Sequence, residues 1–277
     1  MMLPKDKPGD VALYYEIHGE GTPLLLIAGL GSDCLSWGGV VAKLAVHFKV
    51  IIFDNRGVGR SEAPEKSYAV GEMTSDAIRL LDHLKIKKAH ILGHSMGGFI
   101  AQELAIHHPE RVERLILAST AAVSSKRNNA LFLEFYKELQ AGADPETWIL
   151  KWVRWLFSPE RLSRKTFLDV FVKNRLKDPF PQQAHGLKGQ IDAIASFDSR
   201  GRLGQIKAEM LVLHGGEDIL ILPGEAEALA KGISGSTFQY VKGAAHCLHI
   251  ENRHAFVGAV VEFLERNPVP WYQPKEK

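Results

Sequence analysis

Cysteine is scarce in this chain of 277 residues, with Cys34 and Cys247 as the two examples. The chain shows no export signal, so two cysteines do not indicate a structural disulfide, and they lack the spacing of a zinc site. We therefore predict two free thiols, and nothing in the composition points to a bound metal or another cofactor.

Long apolar runs and a strong charge of one sign are also missing. The longest apolar runs, such as Leu24 to Ala28, are far shorter than the roughly 18 residues that a membrane span needs. The first ten residues include Pro4 and Pro8 among charges and do not resemble a secretory signal. A net charge of +2 without a Lys/Arg run of five or more residues gives no indication of nucleic-acid binding. We expect a soluble cytoplasmic protein with neither membrane nor nucleic acid as a partner; its oligomeric state cannot be read.

Short apolar runs alternate with segments of helical period over the first part of the chain. The predicted strands are Val11–Ile17, Leu24–Ala28, Lys49–Phe53, Ala89–Leu92 and Leu115–Ala118, with helices Trp37–Phe48, Val70–Leu84 and Met96–His107 among them. Strands that alternate with helices predict an α/β fold, a mostly parallel sheet covered by helices on both faces.

This alternation stops between Ser124 and Arg202, where helix-like segments rich in aromatic residues replace it. It resumes with strand Met210–Leu213, helix Gly224–Lys231, strand Thr237–Val241 and helix His254–Arg266. We predict a helical cap at 124–202, inserted into a core of 1–123 and 203–277. Such a cap would cover the carboxyl ends of the strands, where ligands bind in open α/β sheets. The tail from Pro268 to Lys277 is predicted to be loosely held.

The segment Gly93-His94-Ser95-Met96-Gly97 follows a predicted strand and opens a predicted helix. This is the setting in which G-x-S-x-G forms a nucleophile elbow, whose sharp turn needs glycines beside the serine. The helix N-terminus also favours developing negative charge. A serine that merely caps a helix is the alternative. We predict that Ser95 is a nucleophile.

A serine nucleophile needs a histidine base and a carboxylate that orients it, and this fold delivers them in the order Ser, Asp or Glu, His. Asp218 lies on a loop after strand Met210–Leu213, and Glu217 is its rival, offset by one residue. His246 follows the last strand, and spacing alone does not exclude His249. We predict Asp218 and His246 as the partners of Ser95.

Acyl transfer also requires hydrogen-bond donors for the tetrahedral oxyanion. Two backbone N–H groups are well placed for this task. Met96 directly follows the nucleophile, and Leu30 lies in the loop Ala28-Gly29-Leu30-Gly31 after an early strand. The alternative for that loop is an ordinary glycine turn.

From Val11 to Arg266 the chain resembles the capped α/β-hydrolase superfamily. Asp54-Asn55-Arg56-Gly57-Val58-Gly59-Arg60-Ser61 is similar to its D-x-R-G-x-G-x-S segment, and Gly93 to Gly98 to its G-H-S-M-G-G elbow. The resemblance implies the triad above, and Glu251, five residues after His246, favours His246 over His249. The family usually opens the oxyanion loop with His-Gly, whereas this chain has Ala28-Gly29.

The resemblance also narrows the chemistry. Serine as nucleophile points away from haloalkane dehalogenases and epoxide hydrolases, and His94 departs from the asparagine common in carbon–carbon bond hydrolases. Esterases and lactonases remain. We predict hydrolysis of an ester or lactone through an acyl-enzyme on Ser95. Alternatives are an esterase for carrier-bound or CoA-bound acyl groups, a triad-bearing ligand sensor and a cofactor-free perhydrolase.

We further expect Gly29, Trp152, Leu220 and Cys247 to contribute to substrate binding. Trp152 is one of three cap tryptophans at helical spacing, which could line the site or pack together. Between residues 126 and 188 there are 12 Lys/Arg against 7 Asp/Glu. This excess could dock an acidic acyl carrier partner or attract carboxylate substrates, whereas a solvated surface is the plainer interpretation.

Overall fold

The computed structural model describes residues 1–7 and 9–266, and its centre is one eight-stranded sheet in the order β1-β2-β4-β3-β5-β6-β7-β8. The strands are β1 Met2–Leu3, β2 Leu13–His18, β3 Pro23–Ile27, β4 Lys49–Phe53, β5 Ala89–His94, β6 Val112–Ala118, β7 Glu209–Gly215 and β8 Thr237–Val241. Strand β2 pairs antiparallel with β1 and β4, and the other pairs are parallel. The predicted α/β class with a mostly parallel sheet is confirmed.

Helices cover both faces of this sheet. They are α1 Gly38–Leu44, α2 Val70–His83, α3 Met96–His107, α4 Lys126–Gln140, α5 Pro145–Val153, α6 Pro159–Ser163, α7 Lys165–Leu176, α8 Ala184–Ser196, α9 Pro223–Lys231, α10 Leu248–Glu251 and α11 Arg253–Glu265. Alternate residues of β3 separate into two cores: Leu24 and Leu26 pack with α1 and α11, and Leu25 packs with α2 and α3. A strand buried on both faces needs such a continuous apolar run.

Helices α4 to α8 lie between β6 and β7 in the chain, within the predicted cap segment 124–202. Among the described residues this segment contains no strand, and its one β-bridge joins Asp198 to Val123. Its side chains contact loops at the carboxyl ends of several strands, as described below. The segment therefore contacts the end of the sheet at which β5 leads into Ser95, and its role as a cap stays a prediction.

Most element bounds agree with the sequence prediction to within a few residues, and two differences stand out. The predicted helix Trp37–Phe48 is shorter, since a 3₁₀ turn occupies Cys34–Trp37 and α1 ends at Leu44. The N–H groups of His47 and Phe48 both turn back to the Leu44 carbonyl, which closes the helix before β4. Strand β1 was not predicted, because two residues that pair with β2 carry no periodic signal of their own.

Two further findings concern the predictions on thiols and membrane spans. Cys34 and Cys247 are buried free thiols. None of the described helices combines the length and apolar character that crossing a bilayer requires. The predicted tail Pro268–Lys277 lies outside the described residues.

Candidate active site

Ser95 occupies the sharp turn between β5 and α3, and its backbone is unusual for a residue with a side chain. Its φ is 54° and its ψ is −120°, a conformation that costs a non-glycine residue of order 1–3 kcal/mol. Ser95 N–H donates to the Ala118 carbonyl at 2.9 Å, and Thr120 Oγ1 donates to the Ser95 carbonyl at 2.8 Å. The Ser95 side chain makes no capping bond to α3, so its hydroxyl is not committed to the helix.

Two glycines make this turn possible. A β-carbon on Gly93 would lie 2.2 Å from the Gly97 carbonyl oxygen, and one on Gly97 would lie 2.0 Å from the Ile27 carbonyl oxygen. Contacts this short leave no room for any side chain. The elbow thus packs backbone against backbone on the end of β3, which explains both glycines of G-x-S-x-G.

We expect Ser95→Gly to unfold at a higher urea concentration than Ser95→Ala. Glycine adopts a positive φ without a β-carbon clash, whereas alanine keeps the strained backbone. The expected difference in free energy of unfolding is about 1 kcal/mol, measured by urea denaturation of both variants. Both variants lack the hydroxyl, so their difference reports the backbone strain less the extra conformational entropy of glycine in the unfolded chain. Equal midpoints would show that the strain does not exceed that entropy.

Asp218 and His246, predicted on separate loops, are in direct contact. His246 Nδ1 donates to Asp218 Oδ2 at 2.9 Å, and each residue is 2% exposed. Asp218 Oδ1 accepts the N–H groups of Leu220 and Ile221, each at 2.9 Å. Since the carboxylate accepts from Nδ1, the Nε2 nitrogen of His246 is the one left to accept a proton.

The two rivals from the sequence are placed differently. Glu217 has an exposed side chain, although its N–H donates to the Ala244 carbonyl at 3.0 Å. His249 is buried against Trp37, with ring centroids 4.8 Å apart, and its ring nitrogens meet no carboxylate in the part of the chain that the structure describes. Burial lowers the pKa of His249 to about 3. Neither rival therefore has the partner that an acid–base pair requires.

His94 links the nucleophile's strand to the loop of His246. Its Nε2–H donates to the His246 carbonyl at 2.9 Å, and its ring centroid is 5.0 Å from that of His246 and 4.7 Å from that of His249. Burial holds the pKa of His94 well below its ordinary value. His94 is therefore a neutral residue that packs between the elbow and the loop of His246.

His214, at the end of β7, was not singled out as a functional residue from the sequence. Its ring is fully buried, and its Nε2 lies 4.0 Å from Asp218 Oδ2. Burial lowers the pKa of His214, so a neutral imidazole stands beside the carboxylate. The sequence feature that could have drawn attention to His214 is its position at the end of a buried strand, four residues before Asp218.

The predicted donor Leu30 lies in a tight turn after β3. Ser32 N–H donates to the Gly29 carbonyl at 3.2 Å, and Gly31 has a φ of 66°, as glycine does at the third position of a type II turn. A β-carbon on Gly29 would lie 3.0 Å from Ser95 Cβ. The turn therefore lies directly against Ser95.

The second predicted donor, Met96, is the first residue of α3, where an N–H has no intrahelical acceptor. Among the described residues, neither the Met96 nor the Leu30 N–H donates to a protein group. Both amides are thus free to donate to an oxygen of a ligand. Together with Ser95, His246 and Asp218, they are the groups that nucleophilic acyl transfer requires.

The segment 124–202 bonds to the loops that carry Asp218 and His246. Asn128 Nδ2, on α4, donates to the Leu220 carbonyl at 2.8 Å, two residues beyond Asp218. The Leu156 carbonyl, after α5, accepts the Cys247 N–H at 2.9 Å. These contacts were not predictable from spacing, because each joins residues about 90 positions apart.

Glu251 makes a second connection between the segment 124–202 and the loop of His246. Its Oε1 accepts both the N–H and the hydroxyl of Ser158, at 2.9 and 2.6 Å, and its Oε2 accepts the Ala245 N–H at 2.6 Å. Arg161, on α6, donates to the Glu251 carbonyl at 2.7 Å. One carboxylate thus holds the residue before His246 and the start of α6 together.

The four predicted substrate-binding residues lie in different settings. Gly29 faces Ser95, and Leu220 is buried in the acid loop. Cys247 packs on Val153 of the cap, and burial raises its thiol pKa well above the ordinary value. Trp152 packs edge to face on Phe135, with centroids 4.5 Å apart. These contacts seat Cys247 and Trp152 in apolar clusters of the cap, and their role towards a substrate stays a prediction.

Many basic side chains of the cap bond to groups of the chain itself. Examples are Arg127 to the Leu220 carbonyl, Arg161 to the Glu251 carbonyl, Lys151 to Glu134 and Arg164 to Glu160. The acidic partner at the cap therefore stays a prediction that rests on the remaining excess of positive charge.

As for metals, no group of three or more His, Cys, Asp or Glu side chains within residues 1–7 and 9–266 could hold an ion.

The chain is similar to known hydrolases in both sequence and fold. Residues 22–253 match the family model described as alpha/beta hydrolase fold. A protein of Azorhizobium caulinodans named "Putative carbamate hydrolase RutD" is 31% identical over 244 residues, which cover 88% of this chain and 91% of that protein. The 3-oxoadipate enol-lactonase 2 of Acinetobacter baylyi is 32% identical over 263 residues, covering 93% and 94%. The crystal structure of the enol-lactonase from Burkholderia xenovorans superimposes with a TM-score of 0.84 at 29% identity, covering 92% and 97%.

Proposed function

Since this chain belongs to the α/β-hydrolase family, we propose that it hydrolyses a carboxylic ester or a lactone through an acyl-enzyme formed on Ser95. The observation that carries the proposal is the buried His246–Asp218 hydrogen bond of 2.9 Å. The same chain holds Ser95 at a φ of 54° in a sharp turn between a strand and a helix. Similarity to two enol-lactonases supports ester or lactone chemistry. The chain is a hydrolase by family; the bond it cleaves is the proposal.

In the proposed first step, His246 Nε2 takes the proton of Ser95 Oγ while Oγ bonds to the carbonyl carbon. The carbonyl π electrons move to oxygen, and the Leu30 and Met96 N–H groups donate to the resulting oxyanion. Collapse of this intermediate breaks the bond to the leaving oxygen, which receives the proton from His246. In a lactone that oxygen stays attached to the acyl chain.

The second step releases the acid. A water molecule gives a proton to His246 and its oxygen bonds to the acyl carbon; the proton then returns to Ser95 Oγ as the ester bond breaks. Asp218 stays ionised throughout and stabilises the imidazolium that forms twice per turnover. Two backbone N–H bonds on Asp218 Oδ1 keep its other oxygen directed at His246.

The tryptic peptide of residues 89–111 makes the nucleophile easy to assign, because Ser95 is its one hydroxyl residue and it contains neither cysteine nor lysine. We expect a fluorophosphonate probe to attach one phosphonyl group to this peptide, and the loss of activity to run parallel to the extent of labelling. Mass spectrometry of the digest checks the result. Two results would contradict the proposal: inactivation by an adduct on a different peptide, or an active enzyme that the probe labels on no peptide.

A rate panel then tests the bond type. It compares short and long p-nitrophenyl esters, γ-lactones, acyl thioesters and an aryl carbamate, with the fluorophosphonate-inactivated enzyme as the control. We expect steady multiple turnover of esters or lactones, faster than of the thioesters and the carbamate. A single burst followed by a stable complex would instead indicate a ligand sensor, and peroxide-dependent halogenation a perhydrolase.

A further inference from the structure

A buried glutamine of the cap holds the loop that carries the first oxyanion donor. Gln190, on α8, is 0% exposed, and its Oε1 accepts the Gly31 N–H at 3.0 Å. Its Nε2 donates to the Arg56 carbonyl at 2.9 Å. A side-chain amide buried without partners would be strongly destabilising, but here both ends are bonded to the backbone of the core.

The bonded N–H belongs to the peptide unit directly after Leu30. In the turn Gly29–Ser32, the peptide between Leu30 and Gly31 is the one whose orientation distinguishes type I from type II. Gln190 Oε1 accepts from this peptide and therefore opposes its rotation. Loss of this hydrogen bond would release Gly31 and let the turn shift relative to Ser95, and the Leu30 N–H would move with the turn.

The other end of the loop is held from the core. Asn55 Nδ2 donates to the Ala28 carbonyl at 3.1 Å, two residues before Leu30. Leu30 thus lies between two backbone positions that buried carboxamides fix, Ala28 by the core and Gly31 by the cap. Its own N–H has no protein acceptor among the described residues.

From this arrangement we infer that Gln190 is a positioning residue of the reaction: it preorganises the Leu30 N–H for the oxyanion by anchoring the turn at Gly31. The inference rests on the proposed function. It assigns to the cap a part in transition-state stabilisation, besides any part in substrate binding. Preorganised donors need no rearrangement when charge develops, so loosening one affects the transition state more than the bound substrate.

The chain offers a matched control in Gln182. Its Nε2 donates to the Gly57 carbonyl and to Gln190 Oε1, each at 3.0 Å, but it makes no hydrogen bond to the turn. Gln182→Met and Gln190→Met each remove a cap glutamine that bonds the loop after β4, and both keep the side-chain length. Gln190→Met alone breaks the bond to Gly31.

For Gln190→Met we expect kcat to fall roughly 10- to 100-fold with KM little changed, less than the loss expected for removing a donor outright. The inhibition constant of an aryl trifluoromethyl ketone, which forms a tetrahedral adduct with the serine, should rise by a similar factor. Gln182→Met should stay within about 3-fold of the wild type in both quantities. Steady-state kinetics and inhibitor titration on the best ester of the panel provide the readouts.

Equal kinetics and equal ketone affinity in the two variants would overturn the inference, as would a rise of KM alone in Gln190→Met. If Gln190→Met does not fold, Gln190→Asn replaces it, because it keeps a carboxamide but is one carbon too short to reach Gly31; the same outcomes apply. Failure of the proposed function would appear separately, as a wild-type enzyme that is not labelled on residues 89–111.

Discussion

Ser95→Ala is expected to lower kcat by about 10⁶-fold. The hydroxyl oxygen forms the acyl bond in the proposed mechanism, and alanine leaves His246 and Asp218 without a nucleophile to serve. The backbone should be unaffected, because the bonds from Ser95 N–H to Ala118 and from Thr120 to the Ser95 carbonyl do not involve the side chain. Initial rates with the best substrate of the panel measure the loss.

Ser119→Ala is the matched control for this experiment. Like Ser95, Ser119 is a serine with a positive φ, of 44°; it is buried and lies directly after β6. Its hydroxyl has no hydrogen-bond partner among the described residues. We expect Ser119→Ala to retain wild-type kcat within about 2-fold. If a Ser95→Ala enzyme free of fluorophosphonate-sensitive contaminants kept one per cent of the wild-type activity, an acyl-enzyme on Ser95 would be refuted.

Asp218→Asn is expected to lower kcat by about 10⁴-fold. The N–H groups of Leu220 and Ile221 both donate to Oδ1, so an asparagine at this position must direct its own oxygen at them. Its NH₂ group then faces His246 and donates to Nδ1. This selects the tautomer that carries the proton on Nε2, which cannot accept the serine proton. Binding of the substrate should change little, so the loss should appear in kcat.

Glu217→Gln supplies the control for the acid. It removes the neighbouring negative charge from an exposed side chain of the same loop, and we expect its kcat to stay within about 2-fold of the wild type. Should Asp218→Asn match Glu217→Gln in kcat, the His246–Asp218 bond would be structural rather than catalytic. A large loss in Glu217→Gln instead would transfer the acid's role to Glu217.

The elements around the nucleophile could be predicted closely from sequence because local signals mark both their ends. Helix α3 spans the predicted Met96–His107, between the glycine turn and Pro109. Strand β8 likewise has its predicted bounds. Chain order in this fold also brought Asp218 and His246 forward as a pair, since parallel strands deliver their carboxyl ends to one edge of the sheet.

What could not be predicted is how the cap and the core are joined. The bond between Gln190 and Gly31 spans 159 positions, and no periodic pattern encodes a contact at that separation. The sequence does place Gln190 on the same helical face as Leu187, Ile191 and Ile194. A polar residue on an apolar face indicates a buried hydrogen bond, but the partner becomes visible only when both chain segments are placed.

The hydrogen bonds of the cap to the oxyanion, acid and base loops bear on how this scaffold could be re-engineered. A chimera that combined this core with the cap of a relative would retain Ser95, Asp218 and His246, yet its activity would depend on the incoming helices. The graft would need a carboxamide for Gly31, a donor for the Leu220 carbonyl and a donor for Glu251. Exchange of the whole cap to alter substrate choice therefore requires that three hydrogen bonds to the core be rebuilt. Chimeras that lack these groups should fold and yet hydrolyse their substrate slowly.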